Sequence, residues 1–272
     1  MRYQSMDAGR SALDLDLPAP PAALAQMAAL LARPTCDLAT LSELIESDMA
    51  LASALLRTVN SALFKLAGRI QTVREAINYL GFRQVGGITL QHGLRAAFPQ
   101  VPELDLLWQR AAARAELMGT LGQSLGFDAW AAHSAGLFEE CGKALLFRHA
   151  PARYRGLWAQ ASSDDGVLIA LEQHAFGASH DILGAALCET WGLRPSAVHS
   201  VRHHVEFHRT LELPGQDSHR AVCAVSALAH RILSCSADVD RCVDRLAEQL
   251  AIDPAKITAV IPALADGRAA SP

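Results

Sequence analysis

The side chains of this chain best suited to chemistry are four histidines, His199, His203, His204 and His208, and a pair of adjacent glutamates, Glu139-Glu140. His199 with His203 and His204 with His208 each stand one helical turn apart, a spacing at which two imidazoles can share a zinc ion. The zinc-protease form of that pattern also needs a glutamate beside the first histidine and a third ligand elsewhere, and neither is visible. The plainer role is hydrogen bonding within a helical interface or at its edge. Glu139 and Glu140 could offer oxygen ligands to a cation, but neighbouring residues on a helix point about 100° apart and do not readily converge on one ion. One of them is therefore expected to pair with a basic group and the other to be solvated. In the first half of the chain the sharpest feature is Asn60-Ser61, because an asparagine near a helix end bonds local backbone groups and locks the turn that follows. Arg57, Lys65, Arg69 and Arg74 give that region a positive bias which could meet an anionic ligand, or simply form a solvated face.

Positioning these groups falls to helices. Ala, Leu, Arg, Glu and Gln dominate, and runs of alternating β-branched residues are absent, so the expected fold class is all-α. Thr40 with Glu43 and Thr72 with Glu75 are spaced as capping boxes, and Asp48 and Asp253-Pro254 supply further helix starts. Gly81, Gly177 and Gly192 stand where helices stop on a left-handed residue. The pattern predicts one helix over 103–125 and another over 128–149 that carries both glutamates. Leu44, Ile45, Leu51, Leu55, Leu56, Val59, Ile77 and Leu80 form the apolar stripes of the first half. Two prolines in Phe98-Pro99-Gln100-Val101-Pro102 interrupt the helical pattern, and Leu213-Pro214-Gly215-Gln216 does so more weakly. The resulting division is an N-terminal extension 1–16, a helical subdomain 17–98, a second subdomain 103–213 and a C-terminal helical extension 217–266. The tail Gly267 to Pro272 is expected to be disordered.

Bulk properties narrow the function classes. The chain has 272 residues, 51% hydrophobic and 19% charged, enough for one large core or two modest ones and too apolar for a disordered protein. A net charge of −4 and a pI near 6.2 give no global reason to expect nucleic acid or an acidic membrane as partner. No apolar run reaches the ~18 residues that span a bilayer, and the first residues carry Asp7, Asp14 and Asp16 without a signal-peptide core. The expected location is the cytoplasm. Cys36, Cys141, Cys188, Cys223, Cys235 and Cys242 are scattered with no Cys-x-x-Cys pair, and read as reduced, mostly buried thiols.

Several segments, in order, resemble the HDOD domain, a bacterial helical module related to the HD metal-dependent phosphohydrolases. They are Leu17-Pro18, Glu46-Ser47-Asp48, Leu55-Leu56-Arg57-Thr58-Val59-Asn60-Ser61-Ala62, and Ile70 to Ile77 with Leu80-Gly81. The second half adds Ala135-Gly136-Leu137-Phe138-Glu139-Glu140-Cys141-Gly142-Lys143, then Glu172, Phe176-Gly177, His180, Trp191-Gly192-Leu193 and His203-His204. The resemblance covers roughly residues 17–210 and implies an N-terminal helical subdomain packed on a degenerate HD-like one. HD enzymes hold metal with a histidine on an earlier helix, an adjacent His-Asp and a later aspartate, and the ion generates hydroxide. Here Glu139-Glu140 stand in place of His-Asp, Gln109 and Arg110 follow Trp108 where the first ligand should fall, and Ser226 to His230 provides no carboxylate. The resemblance further implies Arg110 as the cation facing Glu139 or Glu140 across the vestigial cleft, and His180, His203 and His204 as remnants of a second metal site. No catalytic residue, bound metal or cofactor is expected. The implied role is non-catalytic signal transduction or regulation through other signalling proteins, with a link to cyclic-dinucleotide pathways by analogy only. Two other readings stay open. One is a metal-dependent phosphohydrolase using Glu139, Glu140 and the His180/His203/His204 group, and the other is a sensor that binds a nucleotide in the cleft without cleaving it.

Overall fold

A computed structural model describes residues 2–3, 15–31, 37–61, 70–161, 164–234 and 237–269. The fold is all-α apart from one two-residue antiparallel pairing, β1 (Arg2–Tyr3) with β2 (Leu15–Asp16), in which Arg2 faces Asp16. The helices are α1 (Ala22–Leu31), α2 (Leu38–Glu46), α3 (Met49–Val59), α4 (Val73–Ala96), α5 (Pro102–Ser124), α6 (Ala129–Phe138) and α7 (Cys141–His149). They continue as α8 (Pro151–Ala161), α9 (Asp165–Phe176), α10 (His180–Thr190), α11 (Pro195–Thr210), α12 (Asp217–Leu233), α13 (Val239–Leu250) and α14 (Pro254–Ala269).

The chain forms two compact units. Residues 19–100 make one, and residues 15–18 with 101–269 make the other. In the first, α2 and α3 pack on α4 over a core of Leu41, Ile45, Leu51, Leu55, Val59, Val73 and Ile77. Leu44, Leu56 and Leu80, expected in that core, are half-buried at its edge, while Leu41 lies wholly inside it. Asp48 caps α3 by accepting from the amides of Ala50 and Leu51, and Thr72 with Glu75 forms a complete capping box on α4. The box expected at Thr40 is absent: Asp37 caps α2 one turn earlier, accepting from the amide of Thr40 at 3.1 Å. The aspartate wins because its carboxylate reaches both the amide and the hydroxyl of Thr40, at 3.1 and 2.9 Å. Gly81 sits inside α4 at φ 81°, ψ 165°, so the two expected helices are two arms of one kinked element. Asn60 ends α3, donating to the carbonyls of Leu56 and Ile70 at 2.9 and 2.7 Å and accepting from the amide of Ile70 at 2.8 Å. Lys65 and Arg69, part of the expected positive face, and Cys36 and Cys235 lie outside the described residues.

In the second unit α5 packs along α6, α11 lies between α10 and α12, and α7 rests on α10. Residues 217–266, read from the sequence as a separate extension, belong to this unit, since α12 packs on α5, α6 and α11. The helix expected over 128–149 is interrupted: Glu139 closes α6 and Glu140, at φ −103°, ψ 8°, opens α7. The tail is helical through Ala269, and 270–272 fall outside the described residues. Among the described residues no helix is long and apolar enough to cross a membrane.

Leu55 is fully enclosed whereas Met49, on the same helix, is 83% exposed. Leu55→Ala should cost about 2–5 kcal/mol in a denaturant titration, and Met49→Ala should stay within about 0.5 kcal/mol of the parent.

Candidate functional site

The break between α6 and α7 sets the site. Because Glu139 ends one helix and Glu140 starts the next, their carboxylates can turn to a common group that a continuous helix would keep them from sharing. That group is Arg114 on α5. Its Nε lies 3.1 Å from Glu139 Oε1 and its Nη2 lies 2.8 Å from Glu140 Oε1. The fork geometry of the guanidinium spans two acceptors at once. Both partners are withdrawn from water: Glu139 is 1% and Arg114 6% exposed. The expectation that one glutamate is solvated does not hold.

Arg110, the cation the resemblance singles out, is exposed on the rim of the cavity. The contact belongs to Arg114, one turn later. Arg114 lies on the buried face of α5 with Leu107, Ala111, Ala115 and Met118, and Arg110 does not. A charged residue inside an apolar stripe was the sequence signal for it.

Around Arg114 and the two glutamates the network extends through α7 to α12. Lys143 Nζ on α7 is 2.7 Å from Asp165 Oδ1 and 3.5 Å from Glu140 Oε1. Ser226 on α12 donates to Glu139 Oε2 at 2.6 Å. With that hydroxyl proton committed, His208 on α11 donates from Nε2 to Ser226 Oγ at 2.8 Å. Glu172 on α9 is wholly buried, accepting from Tyr154 Oη at 2.5 Å and from the His180 backbone and Nδ1 at 2.8 and 2.7 Å. His204 donates from Nδ1 to the Val201 carbonyl at 2.8 Å. Ring centroids of His180 and His204 are 5.3 Å apart. His203, expected beside His204, points away from the site and packs on His199 at 4.6 Å, because adjacent helical residues diverge by about 100°.

Gly142 makes this convergence sterically feasible. A Cβ there would come within 1.9 Å of the His180 carbonyl oxygen, so any side chain would push α7 off the start of α10. A cavity of about 400 Å³ opens onto the network, lined among others by Arg110, Arg114, Glu140, Lys143, Trp158 and Asp165.

Electrostatics follow from the burial. Desolvation would raise the Glu140 carboxyl, but Arg114 and then Lys143 outweigh it and hold it well below the usual carboxylate range. Burial likewise opposes the charge on Lys143, and Glu140 and Asp165 more than restore it, so its pKa is raised. The histidines go the other way. Burial depresses His204, His208 (well below its ordinary value, with His230 adding to the effect) and His230. Asp165 and its neighbours bring together a ligand set that histidine spacing alone did not display: donor atoms of Asp165, His180 and His204 all lie within 4.8 Å of one another.

Comparison with known proteins gives a consistent fold. The HDOD domain profile matches residues 17–207. A curated relative, an uncharacterized protein of Treponema pallidum (strain Nichols), is 25% identical over 192 residues, covering 70% of this chain. The chain spans only 37% of that relative's length. Among solved structures, a proposed signal transduction protein of Marinobacter aquaeolei VT8 superposes with a TM-score of 0.75 at 20% identity, covering 92% of this chain and 57% of that one. A proposed phosphohydrolase of Shewanella amazonensis SB2B superposes with a TM-score of 0.68 at 20% identity, covering 91% of each chain.

Two measurements probe the network. Arg114→Met should destabilise the protein by about 3–5 kcal/mol, because it strands two carboxylates in a dry site, whereas Arg110→Ala should change stability by less than about 0.5 kcal/mol; chemical denaturation of both variants checks this. The pH dependence has a defined sign. Groups depressed in the folded state bind fewer protons there than in the unfolded chain, so His204, His208 and His230 contribute fully above about pH 6.5. Their contribution declines as pH falls below that value, by at most about 1.4 kcal/mol per pH unit for each group. Thermal melts between pH 8 and pH 5 should show a falling midpoint, and His208→Gln should flatten the decline.

Proposed function

The chain belongs to the HDOD domain family, and from that premise we propose that it is a non-catalytic regulatory protein of bacterial signal transduction, acting through contacts with other signalling proteins. One observation carries the reading: Arg114 bridges Glu139 and Glu140, the pair that stands where the resemblance puts the His-Asp of a metal centre. The residues at that position do not fit a metal. A guanidinium stays protonated at any physiological pH and repels a cation, and both of its carboxylate partners are already committed to it. Ser226 meets Glu139 from α12 with a hydroxyl, a poorer divalent-metal ligand than the carboxylate the enzymes use there. The name of the Marinobacter aquaeolei protein, whose fold this chain shares, is consistent with a signalling role.

A phosphohydrolase is the second reading. The name of the Shewanella amazonensis relative and the convergence of Asp165, His180 and His204 favour it. A metal held by those three would lie next to Lys143, which already occupies one oxygen of Asp165. The hydrolase reading also needs a channel-side base to orient water, and the glutamates that could serve are tied to Arg114.

Turnover decides between them. The purified chain, incubated with aryl phosphomonoesters, aryl phosphodiesters and cyclic dinucleotides in the presence of manganese, magnesium or zinc, should release no product above the enzyme-free blank. Product formation proportional to protein concentration and abolished by Asp165→Asn would overturn the regulatory reading.

A further inference from the structure

The cavity beside the network has two unlike halves. One is apolar: Leu107 and Leu168 are buried in its wall, Trp158 and Leu233 are half-buried, and Leu106 stands 53% exposed at the mouth. Trp158 is held from behind, since its ring packs 5.8 Å from that of Tyr154, whose hydroxyl is bonded to Glu172. The other half is polar, and its carboxylates are already matched to cations. Glu103 accepts from Arg155 at 2.8 Å, Glu140 faces Arg114 and Lys143, and Asp165 faces Lys143. Arg209 and Arg231 line a second cavity that shares Asp165, so the acid there is not short of cations. What remains unpaired is a set of donors. Arg110, one turn from Leu106 on α5, lies on the rim without a carboxylate partner among the described residues. Among the same residues the indole Nε1 of Trp158 has no hydrogen-bond partner, and deeper in Arg114 Nη1 is buried without one.

We infer that this cavity binds a small organic monoanion, a carboxylate on an aromatic or alkyl body, with the carboxylate at Arg110 and the body against Leu106, Trp158 and Leu233. Spare donors call for an acceptor, and a guanidinium meets a carboxylate in a two-point contact. The volume, about 400 Å³, is that of a small-molecule site, in which an apolar wall is combined with a few orienting polar groups. An exposed leucine beside a half-buried tryptophan is apolar surface of the kind such a ligand covers. Arg110, Arg114 and Lys143 exclude a cation. A nucleotide fits poorly. Its phosphate dianion would face Glu140 and Asp165 with Arg110 as the unpaired cation to offset it, and the polar edge of its base would lie against leucines. The inference goes beyond the regulatory reading and does not rest on it, since it concerns occupancy and not turnover.

Isothermal titration of the full chain with cinnamate and, separately, with decanoate tests it. Saturable binding of one molecule per chain is expected for at least one of the two. Cinnamyl alcohol and decanol, the uncharged counterparts, should bind at least about tenfold more weakly. Arg110→Ala and Leu106→Glu should each weaken carboxylate binding at least about tenfold. Both side chains are exposed, so both variants should melt with the parent chain, and a thermal melt separates lost binding from lost folding. Trp158→Phe, which keeps an aromatic ring and removes the indole N–H, should weaken binding by roughly three- to tenfold. Phenyl phosphate and adenosine monophosphate should bind more weakly than the carboxylates. Absence of saturable binding by both carboxylates overturns the inference. So does binding that neither Arg110→Ala nor Leu106→Glu weakens, equal binding of the uncharged counterparts, or tighter binding of either phosphate. The turnover assay reads separately: carboxylate binding without turnover supports both proposals, turnover overturns only the regulatory one, and absence of both overturns only the inference.

Discussion

Arg114 can leave water only because Glu139 and Glu140 both turn toward it, and they can do so only because the chain stops being one helix between them. Each condition depends on the others. A guanidinium in an apolar stripe without partners would be expelled, and two buried glutamates without a cation would protonate or repel. Together they let α5 lie flat along α6 and direct α7 back toward α10, so the packing of the second unit and the electrostatics of its site share a single cause. Ion pairs of this kind add little net stability over a well-packed apolar replacement, but they penalise every arrangement in which one partner is missing. Here that penalty fixes the geometry at which α5, α6 and α7 meet.

The outer residues of the network act on orientation. Tyr154 and Glu172 have no contact with the cavity, yet Glu172 uses one oxygen on the tyrosine and the other on both nitrogens that His180 offers, backbone and ring. That leaves His180 a single orientation. Gly142 supplies the complementary steric condition, because without a Cβ it brings the backbone of α7 against the His180 carbonyl. The adjacent Gly142-Lys143 pair is thus two separate devices: the glycine sets the distance between helices, and Lys143 balances Glu140 and Asp165.

Most of the helical frame was legible in the sequence, since its signals are local. Caps at Asp48 and Thr72, the left-handed stops at Gly177 and Gly192, and the Asn60 turn are all decided within a few residues of themselves. Thr40 failed because two acceptors compete for one helix start, and Asp37 is the better one. The site was legible only in outline. Glu139-Glu140 and His180 could be singled out, but the choice of Arg110 over Arg114 turned on a position along a helix, where one turn separates the rim from the interior. Asp165, Lys143 and Ser226 come together from three different helices, and no spacing in the chain records such a meeting. The pairing of His203 with His204 was misleading for the opposite reason: adjacency in sequence turns them about 100° apart on α11, toward different partners.

What the network adds up to is a site divided in two. On the side of α5, an internal cation is held by both Glu139 and Glu140, and each carboxylate is committed to it. On the side of α9 to α11, His180 and His204 donate from Nδ1 to Glu172 and to the Val201 carbonyl, and the Nε2 of each has no hydrogen-bond partner among the described residues. Lys143 links the two sides, since its ammonium reaches both Glu140, the partner of Arg114, and Asp165 at the start of α9.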